Sequence, residues 1–591
     1  MKKVLLVALN AKYTHTCLAI RYVRESCRRE GVCEPELLEL TINNYLPEIL
    51  GRIYEAKPDI IGFACYIWNI QLMKALLPQV RRVLPEAVLI CGGPEVSYGT
   101  EEFLRQVPAV DYVIRGEGEK ALASLLGRLL ARDDATGGIT GVASIRSGRF
   151  MDNGVAEIAD AAELPFAYRD CEMQALGERI LYYETSRGCP FSCAYCLSCA
   201  SRGVRYRPLE LVRRELEFFV RHNVRQVKFV DRTFNADKKH FMPILQFIRD
   251  LPSECRTNFH FEVAADYLDD EAIALLQAMP RHRVQLEIGI QSVNPQVLRQ
   301  VQRANNWERL AGNIGRLVEK RNMHIHTDLI IGLPGEDMAS FANSFNAVYA
   351  LDTDMLQLGF LKFLKGSAMM GLVEAYGYQY MDIGPYEVLS NDSLTYGEIH
   401  WLHIFEAVFE LYHNAGRCRR VCNYCIDCCE NGDAFGFYRR LADFWQERQY
   451  HHQGHNVRAL YEIMGCFLRT AYGGQAGGVM PDELIDSLLR FDVLLAEKGQ
   501  LRPQGLAWNS EAFKGQIADF WQNKAPVNAA NEIKGFQFTS WRDIRHNYHI
   551  EAFDYPVHEW MAGKRLPQAG KPVFILFDFT KDEAGYQLLQ I

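Results

Sequence analysis

Twice along this chain, short apolar runs alternate with amphipathic stretches at the spacing of βα units. That rhythm restricts the fold more than any other property of the sequence. The first series fills residues 1–130: KKVLLVALN, a helical TCLAIRYVRESCRRE, PDIIGFACYIW, a helix through MKALLPQVRRVL, AVLICGG and DYVIRGEGE. Strands flanked by helices in this order give an α/β fold, a doubly wound parallel sheet of Rossmann-like type, whose ligands sit beyond the carboxyl ends of the strands. Those ends read Asn10-Ala11-Lys12-Tyr13, Tyr66-Ile67-Trp68-Asn69 and Gly92-Gly93-Pro94-Glu95, with Gly116-Glu117-Gly118 after a further strand. Scattered glycines and short strand-like runs over 136–175 read as a linker holding a small hairpin, which bounds a first domain at 1–135.

The second series starts at Leu181: ILYYETS, a helix from Leu209 to His222, QVKFVD, a helix around Lys239 to Asp250, NFHFEV, a helix around Glu271 to Met279, VQLEIGI, a helix around Trp307 to Lys320, HIHTDLIIG, a helix around Ala339 to Leu351, and MLQLGFL. About six βα units are too few to close a complete barrel, so a partial, open (βα)6 barrel is expected over 176–385. From 386 to 591 the pattern turns mainly helical, as in Glu398–His413 and Pro481–Lys498, and ends on two strand-like pieces, HIEAF and PVFILFDF. No internal repeat or low-complexity tract interrupts this order.

Composition then narrows the chemistry. The amino-terminal apolar run is broken too soon by polar residues for a secretory signal, and no run reaches the ~18 apolar residues of a membrane span, so a soluble cytoplasmic protein is expected. In that compartment the 17 cysteines read as metal ligands or buried thiols, not as disulfides. The net charge of −8 offers a polyanion no global attraction, so nucleic acid is not the expected partner. A basic run, Arg202, Arg205, Arg207, Arg213, Arg214, Arg221, Arg225 and Lys228, is interleaved with acids from Glu210 on and reads as an internally paired, solvated face.

Three of the cysteines stand apart. Thr185-Ser-Arg-Gly-Cys189-Pro-Phe-Ser-Cys193-Ala-Tyr195-Cys196 follows a strand directly, and Gly188 and Pro190 break any helix, so the thiols lie on a loop that can wrap a metal centre. Three ligands leave one metal position open for a substrate; a structural zinc site using Cys199 as a fourth ligand is the competing reading of the spacing. Context favours iron, because residues 181–370 resemble the radical S-adenosylmethionine (SAM) superfamily, whose signature is C-x3-C-x2-C with an aromatic before the last cysteine, as Tyr195 is here. The resemblance implies a 4Fe-4S cluster on Cys189, Cys193 and Cys196, with Tyr195 among the SAM-binding residues. It assigns Asp231, in Val230-Asp231-Arg232-Thr233, to the SAM amino group. Glu287 and Gln291, in a run like ELGxQS, are assigned to the ribose and carboxylate, and Asp328, Gly332 and Pro334, in a run like DLIxGLPGE, to the adenine side. It further implies reductive cleavage of SAM to a 5′-deoxyadenosyl radical, with the protein contributing orientation and exclusion of water and oxygen.

The first domain resembles the cobalamin-binding domain that precedes the cluster in one branch of that superfamily, through its position, Gly92-Gly93-Pro94-Glu95 and Gly116-Glu117-Gly118-Glu119. The implied cobalamin residues are Asn10, Tyr13, His15, Tyr66, Ile67, Trp68, Asn69, Gly92, Gly93, Pro94, Glu95, Gly116 and Glu117. The D-x-H-x-x-G run that supplies a cobalt-ligating histidine is absent; His15 lies at the right depth but without the flanking Asp and Gly, which leaves Tyr66, Ile67 or Trp68 to cover the lower face of the cobalt. The favoured reaction is methylation of an unactivated carbon of a small molecule or peptide, with flavodoxin or ferredoxin as electron donor. A rearrangement or cyclisation without methyl transfer, tRNA modification, and a metal-stabilised scaffold or sensor are the rivals. A second cysteine run, Cys418, Cys422, Cys425, Cys428 and Cys429, repeats the cluster spacing; with no Gly or Pro inside it, it can stay helical, and it reads as a buried stripe with an auxiliary cluster as the alternative.

Overall fold

A computed structural model of the chain describes residues 2–132, 137–200, 203–473, 479–524, 541–558, 570–580 and 585–589. Residues Met1–Ile399 form one compact unit and His400–Ile591 a second.

The first sheet contains β1 (Val4–Asn10), β2 (Glu36–Thr41), β3 (Ile60–Ala64), β4 (Val88–Gly92), β5 (Tyr112–Ile114), β6 (Val142–Arg146) and β7 (Arg149–Asp152), in the order β2-β1-β3-β4-β5-β6-β7. The first five are parallel; β6 and β7 add antiparallel. The alternation of β1 explains the two-sided core. Leu5, Val7 and Leu9 pack with helices Leu46–Ala56 and Ile70–Val83, whereas Val4, Leu6 and Ala8 pack with Leu18–Arg29 and Gly118–Leu130. Two features depart from the sequence reading. The hairpin expected in a linker is the edge of this sheet, so the first fold runs past residue 135 to Asp152. And β2 with helix Leu46–Ala56 was not foreseen: all but one of the β2 residues are half-buried, so its apolar period is weak.

β8 (Ile180–Tyr183) opens the second sheet. A short antiparallel ribbon follows, β9 (Ser186–Gly188) and β10 (Val204–Tyr206), flanking the cysteine loop. β11 (Gln226–Phe229), β12 (Asn258–Glu262), β13 (Val284–Gln291), β14 (His324–Ile331) and β15 (Met355–Phe360) then extend β8 in chain order, all parallel. These are the six βα strands expected for an open partial barrel. A ribbon of β16 (Gln379–Tyr380) and β17 (Val388–Ser390) ends this unit.

In the second unit, helices Arg419–Cys428, Ala434–Glu447, Val457–Ala471 and Asp482–Ala496 accompany an antiparallel sheet of β18 (Tyr548–Phe553), β19 (Val573–Asp578) and β20 (Gly585–Leu589). The last strand was not among the two expected. Among the described residues no helix is long and apolar enough to cross a membrane.

Candidate functional site

The carboxyl end of β11 fixes the cysteine loop. Asp231 is fully buried and accepts hydrogen bonds from Thr185 N (3.0 Å), Thr185 Oγ1 (2.6 Å) and Ser186 Oγ (2.5 Å), the residues that lead into Cys189. Burial pushes its carboxyl up to about 6 against those bonds. Asp231 clamps the loop and is not among the residues that line the cavity beside it.

Beside this clamp lies a cavity of about 200 Å³ lined by Cys189, Cys193, Cys196 and Tyr195, with Glu262, Glu287, Gln291 and Asp328 from β12, β13 and β14. The three thiols and four of the expected SAM residues thus share one space. Gly332 and Pro334 do not line it. Gly332, at φ 89°, gives its carbonyl to Tyr378 Oη (2.8 Å) and Asn391 Nδ2 (3.2 Å), so this run shapes a turn behind the wall. The backbone of Cys199 is in a 3₁₀ turn, Leu197–Ala200, but its side chain lies outside the described residues.

The charges around this cavity are strongly differentiated. Burial alone would push Glu287 up, but His260 at 3.0 Å and Lys228 at 2.8 Å outweigh it and hold its carboxylate well below the usual range. Burial also raises Asp328, which His326 meets at 3.0 Å. Glu262 accepts no hydrogen bond from a described residue, and burial raises its carboxyl to about 7. Arg303 is half-buried, with Nη1 3.7 Å from Cys193 Sγ and 3.4 Å from Tyr195 Oη and Nη2 bonded to Gly289 O. Glu262, Arg303, Arg232 and His260 were not singled out in the sequence. The available signal was the polar alternation Asn258, His260, Glu262 on a strand whose other residues are core, which marks the inward face of a barrel strand.

A second cavity, of about 400 Å³, opens at the carboxyl edge of the first sheet. Tyr66, Gly92, Gly93, Pro94, Gly116 and Glu117 line its mouth, and a slot between sheet and helices, walled by Leu6, Ala19, Gly62, Ala64, Ile114 and Leu122, forms its depth. Glycine is required at the mouth: a Cβ on Gly93 (φ 118°) would stand 2.4 Å from Cys65 O, and one on Gly116 (φ 82°) 2.3 Å from Ala156 O. It is also what keeps the slot open, since a Cβ on Gly62 would fall 2.7 Å from Leu6 Cδ2.

The remaining expected cobalamin residues fall outside that cavity. Asn10 donates to His15 O (3.0 Å), and Asn69 donates to Leu9 O (3.1 Å) and Ala64 O (3.0 Å); both knit the strand ends together. His15 is engaged by Tyr182 Oη and stacks on that ring, and burial followed by Lys12 and Lys228 lowers its pKa. Tyr13 is exposed under the Arg179 guanidinium, and Glu95 is buried on Tyr386 Oη (2.8 Å). Ile67 is outside the lining, while Trp68, 44 % exposed, stacks on Tyr66 at 4.4 Å and donates to Leu9 O.

The basic run is engaged locally: Arg205 with Glu117 (2.7 Å), Arg207 with buried Glu215 (2.8 Å), Arg213 with Glu217 (3.2 Å), Arg225 with Glu178 (3.3 Å). Arg202 lies outside the described residues. In the second unit Cys418 precedes helix Arg419–Cys428 with a left-handed backbone, and Cys418, Cys422 and Cys425 are buried, which raises all three thiols; Cys425 Sγ meets Met480 Sδ at 3.7 Å.

Comparison with known proteins matches three family models: B12 binding domain over residues 4–126, Radical SAM superfamily over 183–348, and Protein of unknown function (DUF4080) over 374–577. A curated relative, 2-(S-pantetheinyl)-carbapenam-3-carboxylate methyltransferase of Streptantibioticus cattleyicolor, is 26% identical over 49% of this chain and 45% of its own length. Cobalamin-dependent radical SAM methyltransferase TokK of Streptomyces tokunonensis is 27% identical with the same coverage, so the chain spans a little under half of each of these relatives. Among solved structures, the cobalamin-dependent S-adenosylmethionine radical enzyme OxsB, with aqua-cobalamin and S-adenosylmethionine bound, shares the fold at a TM-score of 0.57 and 14% identity over 88% of this chain and 84% of that one. In order from its amino terminus, the chain carries a B12-binding domain and a radical SAM superfamily domain.

Proposed function

We propose that the chain is a cobalamin-dependent radical SAM enzyme that cleaves SAM to a 5′-deoxyadenosyl radical and methylates an unactivated carbon of a small-molecule substrate. The observation that supports this most is that a cavity lined by three loop thiols and a glycine-rimmed cavity at a sheet edge share a wall residue, Arg232. When bound, the 4Fe-4S cluster supplies the electron for SAM cleavage and cobalamin the methyl group.

Cys189, Cys193 and Cys196 hold the cluster, with Tyr195 and Arg303 fixing the Cys193 side. Glu262 takes the SAM ammonium in place of Asp231, because it is the acid of this cavity without a hydrogen-bond or ion-pair partner among the described residues. Arg303, with its charge directed along the same wall, takes the SAM carboxylate, and Gln291 and Asp328 the ribose hydroxyls. Glu287, tied to Lys228 and His260, keeps the barrel interior in register beneath them. Tyr66, Gly92, Gly93, Pro94, Gly116 and Glu117 would hold the corrin at the mouth of the second cavity, with the apolar slot open to the rest of the cofactor. None of the described lining residues is a histidine, which supports cobalt without a histidine ligand. A flavodoxin or ferredoxin is the expected electron donor.

The test is anaerobic purification with cobalamin supplied, followed by SAM turnover on candidate substrates. Equal amounts of 5′-deoxyadenosine and S-adenosylhomocysteine are expected. 5′-Deoxyadenosine without S-adenosylhomocysteine on a consumed substrate would mean a rearrangement or cyclisation, and a colourless zinc protein that leaves SAM intact would refute the reading.

A further inference from the structure

Three guanidinium groups line the two cavities. Arg187 pairs with Glu119 and Glu184, each at 2.8 Å, and Arg303 is held by Gly289 O, Cys193 and Tyr195. Arg232 is the third and the one common to both cavities. The residue is exposed, and its guanidinium makes no hydrogen bond, and no ion pair within 4.0 Å, with a described residue, although its charge is felt at longer range by Glu262 and Tyr66. Its position is not loose: the preceding residue is the buried clamp Asp231, and Thr233 after it is buried with its hydroxyl 3.5 Å from Cys189 Sγ. A fixed backbone thus presents an unmatched cation where the two cavities meet.

We infer that Arg232 holds an oxyanion of the substrate, so that the molecule methylated carries a carboxylate or phosphate close to the reacting carbon. This rests on the reading above, in which the substrate lies between SAM and cobalamin and Arg303 and Glu262 take the methionine end of SAM. A guanidinium recognises such a group through two parallel, charge-assisted hydrogen bonds, which a single point charge does not offer.

The probe is [1-¹³C]acetate, with [1-¹³C]acetamide as its neutral counterpart. Each is titrated into anaerobic holoenzyme in the paramagnetic cob(II)alamin state with SAM present. The expected result is saturable relaxation enhancement of the acetate carbon and none of acetamide. Arg232→Gln should weaken the apparent acetate affinity at least about tenfold, and Arg232→Lys should restore part of it. An acetate effect unchanged in Arg232→Gln, or no saturable effect in corrin-loaded wild type, overturns the inference. So does a loss of cobalamin affinity in Arg232→Gln that cobinamide, which lacks the nucleotide phosphate, does not share, because the anion is then the cofactor's own. Failure of the wild type to bind the corrin, read by absorbance, overturns the cofactor reading and this inference with it.

Discussion

Asp231 accepts three hydrogen bonds and Glu262 none from a described residue, and the two buried acids accordingly do different work. Asp231→Ala leaves a backbone amide and two hydroxyls without their acceptor, so urea unfolding should show a loss of about 2–4 kcal/mol, together with a fall in iron retention. Glu262 must be ionised to receive an ammonium. Its carboxyl is raised to about 7 by burial, so SAM affinity should increase as pH rises through 7. In Glu262→Gln the affinity should be about tenfold lower at pH 8 and independent of pH; equilibrium binding at pH 6 and 8 decides this. That the thiol triad, Gln291 and Asp328 come together in one cavity was legible in the sequence, because the family pattern they resemble sets residue type and spacing. Glu262 and Arg232 were not, because a single polar residue at a strand end looks the same whether it faces water or a cavity.

At the scale of elements, glycine positions separate support from function. Gly93 cannot gain a Cβ without meeting the Cys65 carbonyl, so Gly93→Ala should cost about 1–3 kcal/mol and lower the melting temperature. A Cβ on Gly62 meets the flexible ends of Leu6 (2.7 Å) and Leu122 (3.8 Å) and no backbone atom, so Gly62→Ala narrows the slot. Its melting temperature should hold while corrin retention after gel filtration drops several-fold; retention at the wild-type level would remove the slot from the cobalamin site. In helix Arg419–Cys428, with Cys418, Cys422 and Cys425 buried, we propose that the look-alike spacing serves packing. Replacing Cys418, Cys422 and Cys425 by Ala should leave about four irons per reconstituted chain and lower stability; a fall from about eight to four would mean an auxiliary cluster. The strands of both parallel sheets were readable as apolar runs between turn residues. β2 was missed because all but one of its residues are half-buried, which leaves no apolar alternation, and β20 because GYQLL has too few β-branched residues to stand out.

Across the whole of Met1–Ile399, the glycine turn of the first sheet and the loop bearing the cluster thiols are tied by the same ribbon. Arg187 on β9 reaches Glu119 at 2.8 Å, and Arg205 on β10 reaches Glu117 at 2.7 Å. Arg187 stands two residues before Cys189. These pairs are largely enclosed, so removing one partner leaves a costly buried charge. The order of the two βα series was plain in the sequence, but this tie was not, because it joins residues 88 apart in the chain through side chains that also suit a solvated helix face. One practical consequence concerns air. Loss of iron to oxygen should free the ribbon at its tip and, through these pairs, loosen the glycine turn of the first sheet. A preparation that loses its brown colour on the bench should therefore shed its pink or orange colour soon after, and adding cobalamin to the bleached protein should not restore it until iron and sulfide have been put back.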